Sequence, residues 1–156
     1  MATITAALSV SSDITDQGIS ISNTMTMKKA GSTNGLELTT GLAKRSFAAN
    51  TQVDLLTAGS GIAADVTASK AAKVYIKNVG TSVTDYFTIA FGNASGSTTA
   101  TASNGDATAF QLGRLYGGDW MLIPWLAVST TGDITIMPSN ATAADPMHVE
   151  YMVFFE

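Results

Sequence analysis

Met147-His148-Val149-Glu150-Tyr151-Met152-Val153-Phe154-Phe155, at the end of the chain, is the stretch whose reading decides the fold. Val149, Tyr151, Val153 and Phe155 alternate with His148, Glu150, Met152 and Phe154, which is the two-residue period of a β-strand. The first row is apolar throughout, and Met152 and Phe154 make the end of the second row apolar as well. Such a strand needs cover on both faces, from the core on one side and from a neighbour on the other. An apolar face without cover inside its own domain marks a contact surface, so the strand predicts self-association.

Working back along the chain, residues 73–78 alternate with Val74 and Ile76 on one side, and residues 86–91 place Phe87, Ile89 and Phe91 on a common face. Residues 133–137 follow a Thr131-Gly132 turn and put Ile134 and Ile136 on one face. Residues 120–128 are apolar throughout but contain Pro124, which has no N–H for a strand ladder and so predicts an edge, a bulge or a strand that changes sheets. Glycines 113, 117 and 118 ahead of Asp119 and Trp120 read as a bend. Residues 92–106 contain no aromatic side chain and one charge, and are expected to form a projecting hairpin or contact loop turning at Asn104-Gly105.

In the first part of the chain, residues 19–27 alternate almost without fault. Ile19, Ile21, Met25 and Met27 lie on one side with Asn23, and Ser20, Ser22, Thr24 and Thr26 lie on the other. Residues 3–10 are a weaker strand. Short apolar pieces at 36–38 and 53–56 are separated by turn formers such as Gly31-Ser32-Thr33-Asn34-Gly35. Residues 58–70 lack periodicity and give a candidate boundary, with one helical turn expected within 63–72. The predicted organisation is an extended Ser/Thr-rich β arm or small subdomain over residues 1–60, followed by a β-sandwich core over residues 61–156. The fold class is all-β, an antiparallel, jelly-roll-like β-sandwich.

Composition supports this and narrows the function. The 156 residues include 37 Ser or Thr, which suit strands and turns and compete with the backbone inside helices. Charged residues make up 13%, well under the roughly 25% of average soluble domains, so little of the surface is defended by charge. There is no cysteine, which removes disulfides, thiolate metal sites and a cysteine nucleophile. The start has no basic segment followed by an apolar one, so no secretory signal is expected, and no apolar run approaches the about 20 residues of a membrane-crossing helix. Up to Asn78 there are seven Lys or Arg against five acids; beyond it there is Arg114 against seven acids. The basic residues Lys28, Lys29, Lys44, Arg45, Lys70, Lys73 and Lys77 are too scattered for a nucleic-acid stripe. The asymmetry suggests instead that the basic half of one copy meets acidic residues of another copy or of a partner.

No constellation for catalysis stands out, and the chain is read as a non-enzyme with no cofactor and no metal site. His148 is the single histidine; as a base it would need a nucleophile and an orienting acid, and a polar pairing with Glu150 on its face is the simpler role. Asp13 and Asp16 lack the oxygen spacing and central glycine of a calcium loop. Asp85, Asp106, Asp119, Asp133 and Asp145 each stand beside turn residues, and no Gly-Lys-Ser/Thr phosphate loop is present. Tyr116, Trp120 and Trp125 could form an aromatic platform for sugar, but their surroundings, Met121, Leu122, Ile123 and Leu126, favour core or interface packing. Sequons occur at Asn93 and Asn140, as expected by chance in so Ser/Thr-rich a chain. Trp120, Trp125, Met152 and Phe154 are therefore the candidate contacts for an oligomer or a partner.

One set of segments carries a likeness: Lys73-Val74-Tyr75-Ile76-Lys77-Asn78, Tyr86-Phe87-Thr88-Ile89-Ala90-Phe91-Gly92, Gly118-Asp119-Trp120 with Pro124-Trp125, and Val149-Glu150-Tyr151-Met152-Val153-Phe154-Phe155-Glu156. It resembles small virion structural proteins of tailed bacteriophages, especially those of marine bacteria, over roughly residues 73–156. The resemblance implies a capsid decoration or cement protein, made in the host cytoplasm and carried on the capsid surface. Its partners would be further copies of itself, a trimer being favoured, and a major capsid protein or other virion protein, with no nucleic acid and no membrane. A tail, collar or fibre component is the alternative within virions, and a glycan-binding sandwich module is the alternative of another class.

Overall fold

The computed structural model describes residues 4–12, 19–28, 36, 38–59, 72–92, 110–127 and 132–156. The segment 93–106, residues 63–71 of the helical turn expected within 63–72, the Gly31–Gly35 turn, Asp13, Asp16 and the Asn93 sequon lie outside them, and Ala72 opens a strand. Eleven strands make up the described structure: β1 (Ile4–Ser12), β2 (Ile19–Met27), β3 (Leu38–Thr39), β4 (Ala43–Phe47), β5 (Val53–Leu56), β6 (Ala72–Asn78), β7 (Tyr86–Phe91), β8 (Phe110–Tyr116), β9 (Trp120–Trp125), β10 (Ile134–Pro138) and β11 (Met147–Phe155). The protein is an all-β sandwich, and every strand pairing is antiparallel.

One sheet has the order β5-β10-β7-β8. The other runs β3-β11-β6-β9, with β4 also pairing to β11. β3 and β4 act as a single edge strand along β11 with one extra residue between them: Thr39 faces Phe154 and Ala43 faces Tyr151. Thr40 closes that bulge, its N–H donating to the Val153 carbonyl at 3.1 Å and its Oγ1 accepting from the Val153 N–H at 3.0 Å. Gly41 supplies the φ of 73° that a side chain would resist.

The two sheets face each other across one apolar core. Val74, Ile76, Val149, Val153 and Phe155 come from the second sheet, and Leu55, Phe87, Ile89, Leu115, Ile134 and Ile136 from the first. Phe47 and Phe87 meet edge-to-face across the layers at 5.3 Å between ring centres. These are the residues that period two places inward on 73–78, 86–91, 133–137 and 147–155. The expected domain division is corrected here: β3, β4 and β5, at residues 38–56, are integral strands of the sandwich, because each pairs with a C-terminal strand. Among the described residues, β1 and β2 alone form a separate sheet, a two-stranded hairpin.

One end of the sandwich is tied by Asn78, at the end of β6 and 1% exposed. Its Nδ2 donates to the Leu115 carbonyl in the opposite sheet at 3.0 Å, and its Oδ1 accepts the Gly80 N–H at 2.9 Å. Its own N–H donates to the Asp119 carbonyl, and its carbonyl accepts from the Gly118 N–H. Gly117 lies so close to Ser82 that a Cβ there would stand 2.5 Å from a backbone oxygen. The bend expected at 117–118 is therefore the tight turn from β8 into β9, crossing from one sheet to the other.

Candidate functional site

Register along the outer face of the second sheet brings the candidate contacts together. Phe154 lies opposite Lys73, Met152 opposite Tyr75, Tyr75 opposite Leu122, and Lys77 opposite Trp120. The outer face thus carries an apolar row from Phe154 and Met152 through Tyr75 to Leu122 and Trp120. Trp120 is 49% exposed at its rim, with its rings 6.2 Å from Tyr75. Around this row are charges: Glu150 lies between Lys44 and Lys77 in cross-strand register, and Lys73 forms an ion pair with Glu156. Residues of the basic and acidic halves thus meet within a single chain.

Trp125 is a correction. It points to the other side of β9, is 5% exposed, packs near Phe155, and donates its indole N–H to the Gly132 carbonyl. Two residues of the same apolar run that differ by an odd number of positions necessarily face opposite sides of a strand, so Trp120 and Trp125 could not both be surface contacts. Pro124 falls on β9, the edge of its sheet, where a missing N–H costs no ladder bond.

The second cover for β11 is also corrected. Phe154 is only 7% exposed in the single chain, and Met152 is half-buried. The groove beside Phe154 is bounded on its other wall by the chain's own β1–β2 hairpin. Antiparallel register pairs Ile4 with Met27, Ala6 with Met25, Leu8 with Asn23 and Val10 with Ile21, so these side chains share one face and the Ser/Thr side chains take the other. At the base of that face, Met27 is 1% exposed. Between hairpin and sheet remains an open groove of about 610 Å³, with Ile4 to Leu8, Met25 and Met27 on one wall and Tyr75, Trp120, Leu122 and Phe154 on the other. Towards the hairpin's far end the same face is uncovered, with Val10 43% and Ile21 52% exposed.

Neither strand of the hairpin carries a single charged residue, and each has one edge without a strand partner. Proteins usually guard such edges with lysine, proline or a bulge. Further exposed apolar side chains, Phe110, Leu112 and Leu126, lie on or next to the edge strands β8 and β9.

A second concavity, about 280 Å³, lies at the Asn78 end and is lined by Ser82, Asp85, Asn140, Asp145 and His148 among others. Asn140 Nδ2 donates to Asp85 Oδ1 at 3.3 Å. His148 Nδ1 is the one buried side-chain polar atom without a hydrogen-bond partner among the described residues, and Glu150 on the same face stands in register with Lys44 and Lys77. No group of three or more acidic, histidine or cysteine side chains that could hold a metal occurs among the described residues, nor does a helix long and apolar enough to cross a membrane.

The hairpin cover is the feature that sequence reasoning missed. Its signal was present in the alternation at 19–27, which leaves one apolar face in need of cover. Compared with known proteins, the chain matches no protein-family model and no curated protein.

Proposed function

We propose that the protein is a structural virion component that self-associates and binds a capsid shell in many copies, as a decoration or cement protein does. The observation that carries this is the hairpin: an uncharged, two-edged sheet whose apolar face borders a groove on its own sandwich near its base and is exposed at its far end. A two-stranded sheet is marginal alone in water and gains stability by lying on further apolar surface or adding strands. A dense protein lattice supplies both.

The strand order favours a jelly roll as the finer description of the sandwich. Counting β3 with β4 as one, eight strands form two four-stranded antiparallel sheets, and β11, the last of them, lies beside β3–β4, the first. Capsid proteins and lectins share that architecture, which therefore fits the virion reading without deciding it. The resemblance of residues 73–156 to phage virion proteins points the same way.

A test is co-sedimentation of the purified chain with phage heads that lack it. Saturable binding at a copy number matching the symmetry of the shell is expected; absence of binding at micromolar concentration contradicts the proposal. The glycan-binding reading is kept by one observation, the exposed Trp120 beside Tyr75. It predicts oligosaccharide binding that Trp120→Ala abolishes with folding intact, and Trp125 plays no part in it.

A further inference from the structure

The hairpin and the groove leave two complementary needs on one chain. The donor side is the far part of the hairpin's apolar face, where Val10 and Ile21 stand directly opposite each other in register and neither lines the groove. The acceptor side is the groove itself, open and uncharged, with Thr5 and Asn23 the polar side chains among otherwise apolar or aromatic walls. Its hairpin wall is formed by the consecutive residues Ile4 to Leu8 of β1, a strand whose outer edge has no partner. A groove that offers an open strand edge along one wall and apolar side chains along the other suits an extended β-segment: backbone bonds attach it to the edge, and alternate side chains enter the apolar wall.

We infer that the hairpin of a second copy of this chain occupies the groove, with its Val10–Ile21 face set against Tyr75, Trp120 and Leu122. The uncharged character of both surfaces supports this occupant. No charged residue lines the groove, and the donor strands have none, so contact leaves no ion unpaired on either side. The donor and acceptor patches are different surfaces, so the contact is head-to-tail: each copy gives a hairpin to one neighbour and receives one from another. Such a contact closes into a ring when the rotation between copies allows and otherwise continues as a chain. The inference rests on the self-associating virion reading and deepens it by naming the partner and the two surfaces.

The test uses complementary variants of the full chain, with mass read by size-exclusion chromatography and light scattering. The donor variant is Val10→Glu with Ile21→Lys, an opposite-charge cross-strand pair that keeps the hairpin while removing its apolar face. The acceptor variant is Trp120→Glu with Met25→Glu, both partly exposed positions on opposite walls of the groove. Circular dichroism and the unfolding midpoint confirm that each variant is folded; should the acceptor pair misfold, Trp120→Glu alone replaces it. The wild-type chain should form a ring or larger species, each variant should be monomeric, and an equal mixture should give a species of twice the monomer mass, because one intact donor and one intact acceptor remain. An acceptor variant that assembles like wild type, a mixture that stays monomeric, or a wild-type chain that is monomeric overturns the inference. Binding of the same variants to phage heads is scored separately, so a virion protein that assembles by another contact is distinguished from a protein that binds no shell.

Discussion

Replacing Asn78 by Ala removes the side chain that joins the two sheets at the β8–β9 end. Two hydrogen bonds disappear, one from Nδ2 to the Leu115 carbonyl and one from the Gly80 N–H to Oδ1. Each contributes about 1 kcal/mol net, and the site is 1% exposed, so water cannot take the place of the amide without opening the corner. A total loss of about 2–3 kcal/mol follows, and for a domain of this size about 2–4 °C of melting temperature accompanies each kcal/mol. Asn78→Asp separates the two bonds: it keeps the acceptor for Gly80 but sets a carboxylate against the Leu115 carbonyl, so it should cost at least as much as Ala. Chemical denaturation monitored by tryptophan fluorescence measures both. A loss below about 0.5 kcal/mol for Asn78→Ala, the range of ordinary surface substitutions, would refute the role assigned to this corner.

Further substitutions discriminate the remaining assignments. Gly117→Ala places a Cβ 2.5 Å and 2.7 Å from the backbone oxygen and nitrogen of Ser82; it should lower stability by about 1–3 kcal/mol, seen as a lower denaturation midpoint at unchanged slope. Trp125→Ala empties a core position and should cost about 3–5 kcal/mol, whereas Trp120→Ala should change stability far less and reduce association; equal stability losses for the two would contradict their opposite facings. Pro124→Val restores a free N–H on the exposed edge of β9 and should leave the unfolding midpoint nearly unchanged while increasing aggregation in a concentration series.

Much of the sandwich was legible because its strands obey period two with one face buried. Residues 73–78, 86–91, 133–137 and 147–155 each became a strand with the expected residues inward. Two strands were not legible, for different reasons. β8, Phe110-Gln111-Leu112-Gly113-Arg114-Leu115-Tyr116, is an edge strand with a register shift opposite Ile89 and Ala90, and Leu115 is its one buried side chain, so burial imposes no period on it. β4 carries Lys44 and Arg45 in its middle; Arg45 is used, its guanidinium donating to the Asp54 carbonyl and lying 5.2 Å from the Phe47 ring centre. Charge at those positions hid a strand that is held by pairing with β11.

The candidate site was half legible for a related reason. Sequence alternation shows that Met152 and Phe154 need cover, but it does not show who provides it. Phe154 is already 7% exposed in the single chain, and the groove beside it is lined by hairpin residues more than 120 positions away, a separation that leaves no periodic trace. Assembly therefore falls to the hairpin rather than to β11. The terminal strand is served in part by its own chain, and the uncovered surface is now the far end of β1 and β2 with the groove beside them.

A cryo-EM reconstruction of phage heads incubated with the purified chain tests the virion proposal most directly. Many symmetry-related copies on the capsid surface are expected, with the hairpin and the Trp120 side of the second sheet buried against neighbouring subunits. A particle in which the chain is absent, or in which those surfaces face solvent in every copy, would contradict it.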